Sequence, residues 1–490
     1  LLLLAALAAG GVCAEPLDRK VVPPLTEERR VEEPATARLP GRLPLDVTTD
    51  YERPYVTLII VLGAAGEAAQ PLGFGGLAQL TADWIQEGAV VRDVGGKDQK
   101  LDTRAFTRAL EDLAASFSVK AAGDAAYATL TTLRETLPQA LALVSSAIRR
   151  PALEEADFER LKRQTLMGLK QEAASPDKAA SAQAHLRAFG THPYASPVTP
   201  ASVGAITAAD ARAFHASSFG PTSISAVGAV DAEALKLLAD ANFLKGPGLA
   251  LGDIAAAARR VGRLPPPNAR AAEREGQIDL INLPGSEQSF VMVTQAALER
   301  EHPDYQILKV ANMILGGVHE SRLESIIREE KGWAYYARSA VSALRRGGLI
   351  SLQSPVRADK TAEAAQVMLA QLERLRAGDV SAAELAAAQK RLLAGIDQIF
   401  EKNENIAAQR AGEAVLGLPA DTVERARAEI AAVTVADVRR AAGLYLRPEA
   451  CAVVIAGDKQ VVLPQLKALL PERPVNVIEP LEAGKTPNAG

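Results

Sequence analysis

The sequence has few cysteines and few histidines, the side chains that most often cross-link a chain or hold a transition metal. Only two of the 490 residues are cysteine, and Cys13 lies in an apolar leading run that we expect to be removed. Cys451 alone would then remain, which excludes an internal disulfide framework and a cysteine-rich metal site. The five histidines include no pair spaced four apart, so they predict no histidine-bearing metal helix.

Net charge is also nearly absent. Lysine and arginine number 55 against 59 aspartates and glutamates, which gives a formal charge of −4 and a pI near 5.9. This balance offers no electrostatic reason to expect nucleic acid or an anionic membrane as a partner. Because 48% of the residues are hydrophobic, the chain can fill a substantial core and is predicted to be globular.

No apolar run is long enough to span a membrane, and the run over 1–14 is typical of a secretion signal. It ends in the small-residue pattern Val12-Cys13-Ala14, which favours export, with the periplasm as the predicted location. Lipid attachment at Cys13 is a less favoured alternative. Since neither Met nor a basic residue precedes the run, we expect the natural signal to begin further upstream. Residues 15–42, rich in proline and charge, are predicted to form an extended arm.

The sequence contains an internal repeat, whose two copies are separated by a constant 227 residues. The sequence Ile-Thr-Ala-Ala-Asp at 206–210 has its counterpart in Val-Thr-Val-Ala-Asp at 433–437, and the same separation relates Gly168 to Gly395. Each copy predicts a helix with a capping threonine, then a proline, then an apolar strand. The predicted strands are 55–62, 223–227, 290–295 and 450–455, with helices at 75–87 and 303–314.

The repeat predicts two homologous α+β domains of similar size. Residues 246–275, which include three consecutive prolines at 265–267, are interpreted as a stiff linker that lets the domains face each other around a cavity. The N-terminal domain then spans 43–245 and the C-terminal domain 276–474. Residues 475–490 are predicted to be a tail.

The repeat and its linker resemble the pitrilysin/insulinase-like zinc peptidases, and the segment 75–84 resembles the helix of their inverted zinc motif H-x-x-E-H. In that motif two histidines hold zinc and the glutamate is the general base. The resemblance places Gln79, Ala82 and Asp83 at these positions, and Gly168 at the third ligand position on a later helix. None of the four can replace its counterpart, so the resemblance implies no metal and no catalytic residue on this chain.

A second segment resembles the signature of the family's second domain, in which a Ser-Arg-Leu motif precedes an arginine and, seven residues later, a tyrosine. These residues are Arg328 and Tyr335 here. From residue type and spacing alone, Arg328 in a salt bridge and Tyr335 half-buried on a strand starting at Trp333 would be favoured. The resemblance implies instead that both side chains bind peptide near the zinc of a partner, the arginine at carbonyl oxygens and the phenol at the oxyanion.

The residues just before that helix leave alternatives open. Gly316 and Gly317 either allow a bound peptide backbone to approach closely or form a helix-ending turn. His319 and Glu320 are interpreted as polar loop residues, and Ser321 is predicted to cap the helix that follows.

Taken together, the resemblance implies a pitrilysin-like fold in which two α+β domains, each a mostly antiparallel sheet covered by helices, form half of a clam-shell. It implies a zinc-free subunit of a heterodimeric metallopeptidase that positions unfolded peptides, held along a sheet edge, for a homologous zinc-bearing subunit. Zinc is expected on the partner and no cofactor on this chain. The alternatives are an architectural core-type subunit of a larger complex and a stand-alone exported peptide-binding protein.

Overall fold

The computed structural model describes residues 35–38, 43–92, 96–173, 175–190, 192–244 and 276–479. The predicted signal segment 1–14, most of the arm and the predicted linker 246–275 lie outside these residues. No helix within the described ranges is both long enough and apolar enough to cross a membrane.

The N-terminal half is built on a six-stranded sheet in the order β1-β2-β8-β3-β7-β6. Only the β2–β8 pair is parallel, and a separate hairpin joins β4 to β5. The strand bounds are β1 (Ala35–Arg38), β2 (Pro44–Thr49), β3 (Tyr55–Leu62), β4 (Ala89–Arg92), β5 (Asp98–Leu101), β6 (Ser116–Ala122), β7 (Ala125–Leu133) and β8 (Pro221–Gly228).

The C-terminal half has its own six-stranded sheet, in the order β11-β12-β10-β13-β9-β14. Its parallel pairs are β13–β9 and β9–β14, so both sheets are mostly antiparallel, as predicted. The bounds are β9 (Ile278–Asn282), β10 (Gln288–Ala297), β11 (Arg338–Leu344), β12 (Gly347–Arg357), β13 (Ala452–Gly457) and β14 (Val475–Ile478).

Helices cover one face of each sheet. A 3-10 turn, Ile85–Glu87, extends the helix that begins at Leu77, and two π-helical segments, Met313–Gly317 and Glu324–Glu330, flank the second signature. The α-helices are α1 (Leu77–Trp84), α2 (Thr103–Asp112), α3 (Leu137–Arg149), α4 (Glu155–Ala173), α5 (Pro176–Phe189), α6 (Pro200–Ala205), α7 (Ala208–Ser218), α8 (Ala232–Ala239), α9 (Tyr305–Asn312), α10 (Thr361–Arg376), α11 (Ala382–Ile399), α12 (Asn403–Leu416), α13 (Thr422–Ala432), α14 (Val435–Tyr445) and α15 (Lys459–Leu469).

The repeat predicted from the sequence is present in the fold. The bounds of α5 and α12 differ by 227 at both ends, and so do those of α7 and α14. Thr207 and Thr434 cap α7 and α14 in the same way, each accepting a hydrogen bond at 3.2 Å from the backbone N–H three residues on. The aspartate at that third position, Asp210 or Asp437, accepts a hydrogen bond from the threonine backbone in return, which completes a capping box.

The two halves exchange one helix each. Helix α12 of the C-terminal half packs Ile406, Ala407 and Val415 against the N-terminal sheet. They cover the face that the helices of the N-terminal half leave open. Helix α5 of the N-terminal half does the same on the C-terminal sheet, where Ala180 and Ala184 join a buried cluster with strand residues of β9, β10 and β13. Burial of these faces holds the halves together through non-polar surface.

A buried aspartate adds a polar contact to this exchange. Asp279 on β9 is 1% exposed, and its Oδ2 accepts a hydrogen bond from Gln183 of α5 at 2.7 Å and lies 3.4 Å from the Arg187 guanidinium. Asn476 donates to its other oxygen at 3.0 Å. The carboxylate is therefore satisfied by groups from both halves.

Two predicted boundaries need correction. The tail was placed at 475–490, yet Val475–Ile478 forms β14 and pairs in parallel with β9. Within the predicted arm 15–42, Ala35–Arg38 forms β1, which is the edge strand of the N-terminal sheet and pairs with β2. Both segments are short. β14 pairs with β9, which lies far earlier in the chain, and local composition does not reveal that pairing, whereas β1 pairs with the adjacent strand β2.

Candidate functional site

The residues at the zinc-motif positions bind each other in the structure. Gln79 and Asp83 lie one turn apart on α1, and Gln79 Nε2 donates a hydrogen bond to Asp83 Oδ1 at 2.7 Å. Gln79 Oε1 accepts from the backbone N–H of Ala121 on β6 at 2.9 Å. These hydrogen bonds join α1 to the sheet. They occupy the side-chain atoms of Gln79 and Asp83, at the two positions where the motif has metal-binding histidines.

The general-base position of the motif, occupied by Ala82, is closed off by packing. Ala82 has no exposed surface and belongs to the main core of the N-terminal half. Burial raises the pKa of Asp83, with the nearby Glu87 carboxylate adding to the rise and the hydrogen bond from Gln79 opposing it. A carboxylate whose charge is disfavoured in this way is a poor single ligand for a divalent cation.

Gly168 lies on α4, which packs against α1. The helices meet where the Trp84 and Phe158 rings pack at a tilt of 54°, with centroids 4.9 Å apart, and Arg160 reaches Glu87 in the turn after α1 at 2.7 Å. A Cβ added at Gly168 would meet no atom within 4 Å, so a larger side chain fits there. Across the described part of the chain, no group of three or more histidine, cysteine, aspartate or glutamate side chains could hold a metal.

In the second signature, the buried carboxylate of Glu324 organises the surrounding groups. Its Oε1 accepts a hydrogen bond from Arg328 Nη1 at 2.7 Å, one helical turn away, and its Oε2 accepts from the backbone N–H of Ala337 at 2.8 Å. The imidazole of His319 lies 2.9 Å from both Glu324 Oε1 and Arg328 Nη1. His319, interpreted from the sequence as a loop residue, is thus part of this network.

Hydrogen bonding keeps Glu324 ionised. Burial alone would raise its pKa, but the Ala337 N–H and the side chains of Arg328 and His319 outweigh that effect, and the pKa lies below its ordinary value. The Glu324 side chain is 4% exposed whereas that of Arg328 is 40% exposed. A fixed negative charge therefore holds one edge of a guanidinium whose remainder reaches solvent.

Tyr335 is a largely exposed aromatic residue. Its exposed fraction is 80%, and it lies in an irregular segment rather than on the predicted strand from Trp333. The strand starts only at Arg338, because the Ala337 N–H is taken by Glu324. The half-buried position expected from spacing alone is wrong, and the phenol is free of the core.

Packing within the chain requires a glycine at Gly316 and crowds Gly317 against a flexible side chain. A Cβ on Gly316 would lie 2.5 Å from the backbone nitrogen of Ser339 on β11, and one on Gly317 would lie 2.9 Å from the Met313 sulfur. These contacts favour the alternative in which the two glycines form a helix-ending turn, here packed against β11. Ser321 precedes the helical segment as predicted, but its hydroxyl has no hydrogen-bond partner among the described residues.

Glu324 is the functional-site residue that the sequence argument missed. Its separation of four from Arg328 is the spacing of a helical ion pair, and that signal was available. What the sequence does not reveal is the burial of Glu324 and its contact with Ala337 across the loop.

Residues 205–392 match the family described as the peptidase M16 inactive domain. The structure of a peptidase M16 inactive domain from Pseudomonas fluorescens is similar, with 27% identity, a TM-score of 0.74, and coverage of 87% of this chain and 98% of that one. No curated protein matches the sequence.

Two further solved structures share the fold. A protease from Helicobacter pylori has 17% identity and a TM-score of 0.76, over 86% of this chain and 99% of its own. A chain of complex III from Candida albicans has 15% identity and a TM-score of 0.70, over 89% and 99%. The fold is pitrilysin-like, and the match of residues 205–392 to the M16 inactive domain fits a non-catalytic subunit.

Proposed function

We propose that this chain is the zinc-free subunit of a two-chain peptidase, in which it binds and positions peptide for a homologous subunit that carries the H-x-x-E-H helix and zinc. The substrates are unfolded peptides, and the chain alone cuts none. Export to the periplasm belongs to the same proposal and depends on the segment 1–14.

The observation that carries the proposal is the contrast between the two sites. At the zinc-motif positions the polar atoms of Gln79 and Asp83 are bound to each other and to the sheet. At the second signature Tyr335 is exposed, and Arg328 is anchored at one edge while its side chain stays 40% accessible. Both groups are therefore accessible to a peptide bound at this surface.

The chemistry of the exposed pair suits a peptide in an extended conformation. A guanidinium offers several N–H donors in a plane, which suits backbone carbonyl oxygens. A phenol donates a single hydrogen bond, and such a donor stabilises the negative charge that develops on a carbonyl oxygen under attack. Neither group supplies a nucleophile or a metal-bound water, so the reaction requires the partner.

The test is reconstitution with a homologous protein that carries an intact H-x-x-E-H motif, such as the product of a neighbouring gene. The mixture should cleave an unfolded peptide and lose this activity with chelator, whereas each chain alone should be inactive. Association without any gain of activity would favour an architectural subunit. Peptide binding by this chain with no association would favour a stand-alone binding protein, and either result would overturn the proposal.

A further inference from the structure

The two sheets end in equivalent edge strands. From edge to edge, the N-terminal sheet has the order β1-β2-β8-β3-β7-β6, and the C-terminal sheet has the matching order β14-β9-β13-β10-β12-β11. A two-residue turn joins each of the last strands to its neighbour, at 123–124 between β6 and β7 and at 345–346 between β11 and β12. Strands β6 and β11 are therefore counterparts, and counting back from the turns makes Ala343 the counterpart of Ala121.

The free edge of β6 is bound by side chains of α1 and of the turn that follows it. The Ala121 N–H donates a hydrogen bond to Gln79 Oε1 at 2.9 Å, and the Val119 carbonyl accepts one from Gln86 Nε2 at 3.1 Å. Lys120 also places an exposed charge in the middle of the strand. Bound backbone groups and a charge both hinder pairing with a further strand. The N-terminal sheet is therefore closed at this edge.

The corresponding edge of β11 is bound only near its start. The Ser339 carbonyl accepts a hydrogen bond from Asn312 Nδ2 at 3.4 Å, so the backbone of Ser339 faces away from β12. Because backbone groups alternate in direction along a strand, the N–H and C=O groups of Val341 and Ala343 face the same way. None of these four groups has a hydrogen-bond partner among the residues that the structure describes. Val341 and Ala343 are the counterparts of the two β6 residues whose backbone groups are bound.

Strand β11 also lacks the sequence features that keep an exposed edge from pairing. It contains no proline, its pairing with β12 continues without a bulge, and residues 339–344 carry no charge. Ala340 and Ser342 are exposed, and the residues between and after them are half-buried, so the middle of the strand is accessible. A regular, uncharged edge with unpaired N–H and C=O groups is a template for another extended backbone.

The position of β11 connects this edge to the second signature. The strand begins directly after Ala337, whose N–H is held by the Glu324 carboxylate, and the exposed Tyr335 comes two residues before Ala337. The open edge is thus continuous in the chain with the segment that carries the exposed phenol.

We propose that an extended peptide pairs with the edge of β11 through the backbone N–H and C=O groups of Val341 and Ala343. The peptide runs along the strand that continues from the Arg328 and Tyr335 signature, and the closed edge of β6 takes no part. The inference rests on the proposed function, since it assigns the strand that holds the peptide. Because backbone groups make these contacts, the site accepts peptides of varied sequence.

The experiment measures binding of a fluorescently labelled unfolded peptide to the full chain by anisotropy. Val341→Pro removes an N–H that faces away from β12, at an edge position where proline leaves the ladder intact. Val341→Thr changes the same side chain but keeps the N–H, so it is the reference variant. The proline variant should bind about tenfold more weakly than the threonine variant, which is the effect of one lost hydrogen bond. Equal affinities in two folded variants overturn the inference.

A second measurement needs no variant of the chain. It uses a set of peptides, each methylated at one backbone nitrogen. Because every second residue of a paired strand directs its N–H toward the neighbouring strand, methylation should weaken binding at alternate positions. A loss of affinity without this alternation, or no loss at any position, overturns strand pairing.

Gln86→Ala tests which edge is used. It frees the Val119 carbonyl on β6 and should leave peptide affinity unchanged. Tighter binding by this variant would place the peptide on β6 and overturn the assignment to β11. Failure of the proposed function would look different. A chain that binds no peptide, alone or in the reconstituted pair, overturns both proposals, whereas binding and cleavage that are insensitive to Val341→Pro overturn this inference alone.

Discussion

Glu324 Oε1 lies 2.7 Å from Arg328 Nη1, and the two side chains differ tenfold in exposure, 4% against 40%. A buried carboxylate thus fixes the direction of an arginine that faces solvent. The same carboxylate holds the loop leading to β11 through the Ala337 N–H. One buried residue therefore holds both Arg328 and the segment of chain that follows Tyr335.

Replacing Glu324 by glutamine separates these effects. Glu324→Gln keeps an acceptor for Ala337 but removes the charge that orients Arg328, so the free energy of unfolding should fall by about 1–2 kcal/mol. The apparent KM of the reconstituted pair should rise about tenfold, with a smaller change in kcat. Glu233→Gln, which removes an exposed i,i+3 partner of Lys236, should change neither quantity. An unchanged KM would show that Arg328 needs no anchor.

Tyr335→Phe removes one hydroxyl from a ring that is 80% exposed. Stability and subunit association should be unchanged because the ring packs against little. Activity of the reconstituted pair should fall by about tenfold to a thousandfold, the range for loss of one oxyanion donor. Steady-state kinetics and denaturant unfolding on one preparation measure both quantities.

The control for this change is Tyr51→Phe, because Tyr51 is also exposed, at 55%, but lies in the N-terminal half. It should retain full activity. Full activity in the Tyr335→Phe pair as well would remove that hydroxyl from the reaction.

The chain as it stands should bind no stoichiometric zinc. Zinc affinity should appear in the triple variant Gln79→His/Asp83→His/Gly168→Glu, because α1 already aligns the first two positions and Gly168 has room for a side chain. Metal analysis after dialysis measures this directly. The matched control moves the glutamate to Gly395, the repeat counterpart of Gly168, and should bind zinc far more weakly. Equal binding in both would mean that Gly168 does not face the motif.

Restoring the general base is a different matter. Ala82 is fully buried, so Ala82→Glu places a charged group into the core and should destabilise the N-terminal half by several kcal/mol. Adding it to the triple variant should therefore lower the midpoint of unfolding, while zinc binding by the folded fraction persists. A stable quadruple variant would show that α1 can rotate or shift.

The acid sensitivity of the C-terminal half should depend on Asp304. Arg440 donates to both of its oxygens, at 2.8 and 2.6 Å, and Tyr445 adds a third hydrogen bond. These bonds lower its pKa from 3.8 to about 2. Because the folded-state pKa is depressed, the stabilisation is present above pH about 4 and is lost as the pH falls from about 4 to about 2. Asp304→Asn should remove this part of the pH dependence, whereas Asp112→Asn, an exposed change on α2, should not.

Much of the fold was predictable because the repeat imposes one register on two halves. The strand 55–62 was predicted with the bounds that β3 has, and the capping threonines Thr207 and Thr434 were identified from their motif. The exchange of α5 and α12 was not predictable. The alanines that face the opposite sheet, such as Ala180 and Ala407, read as ordinary helix formers, and only the three-dimensional arrangement shows what covers them.

The site was predictable in its residue types but not in its surroundings. The motif comparison identified the altered positions and the arginine–tyrosine pair, whereas the strand predicted from Trp333 was wrong. An aromatic and alanine-rich run has strand propensity, but a tertiary hydrogen bond from Glu324 takes the N–H of Ala337 and delays the sheet to Arg338.

The exchanged helices mean that the covalent connection between the halves is dispensable once folding is complete. Each sheet is finished by a helix that the other half supplies, so a protease cut in 246–275 should yield two fragments that migrate together until denaturant is added. Either fragment produced alone would leave one apolar sheet face bare and should aggregate. The two copies of the repeat are thus expected to depend on each other for stability, because each supplies a helix that covers the other's sheet.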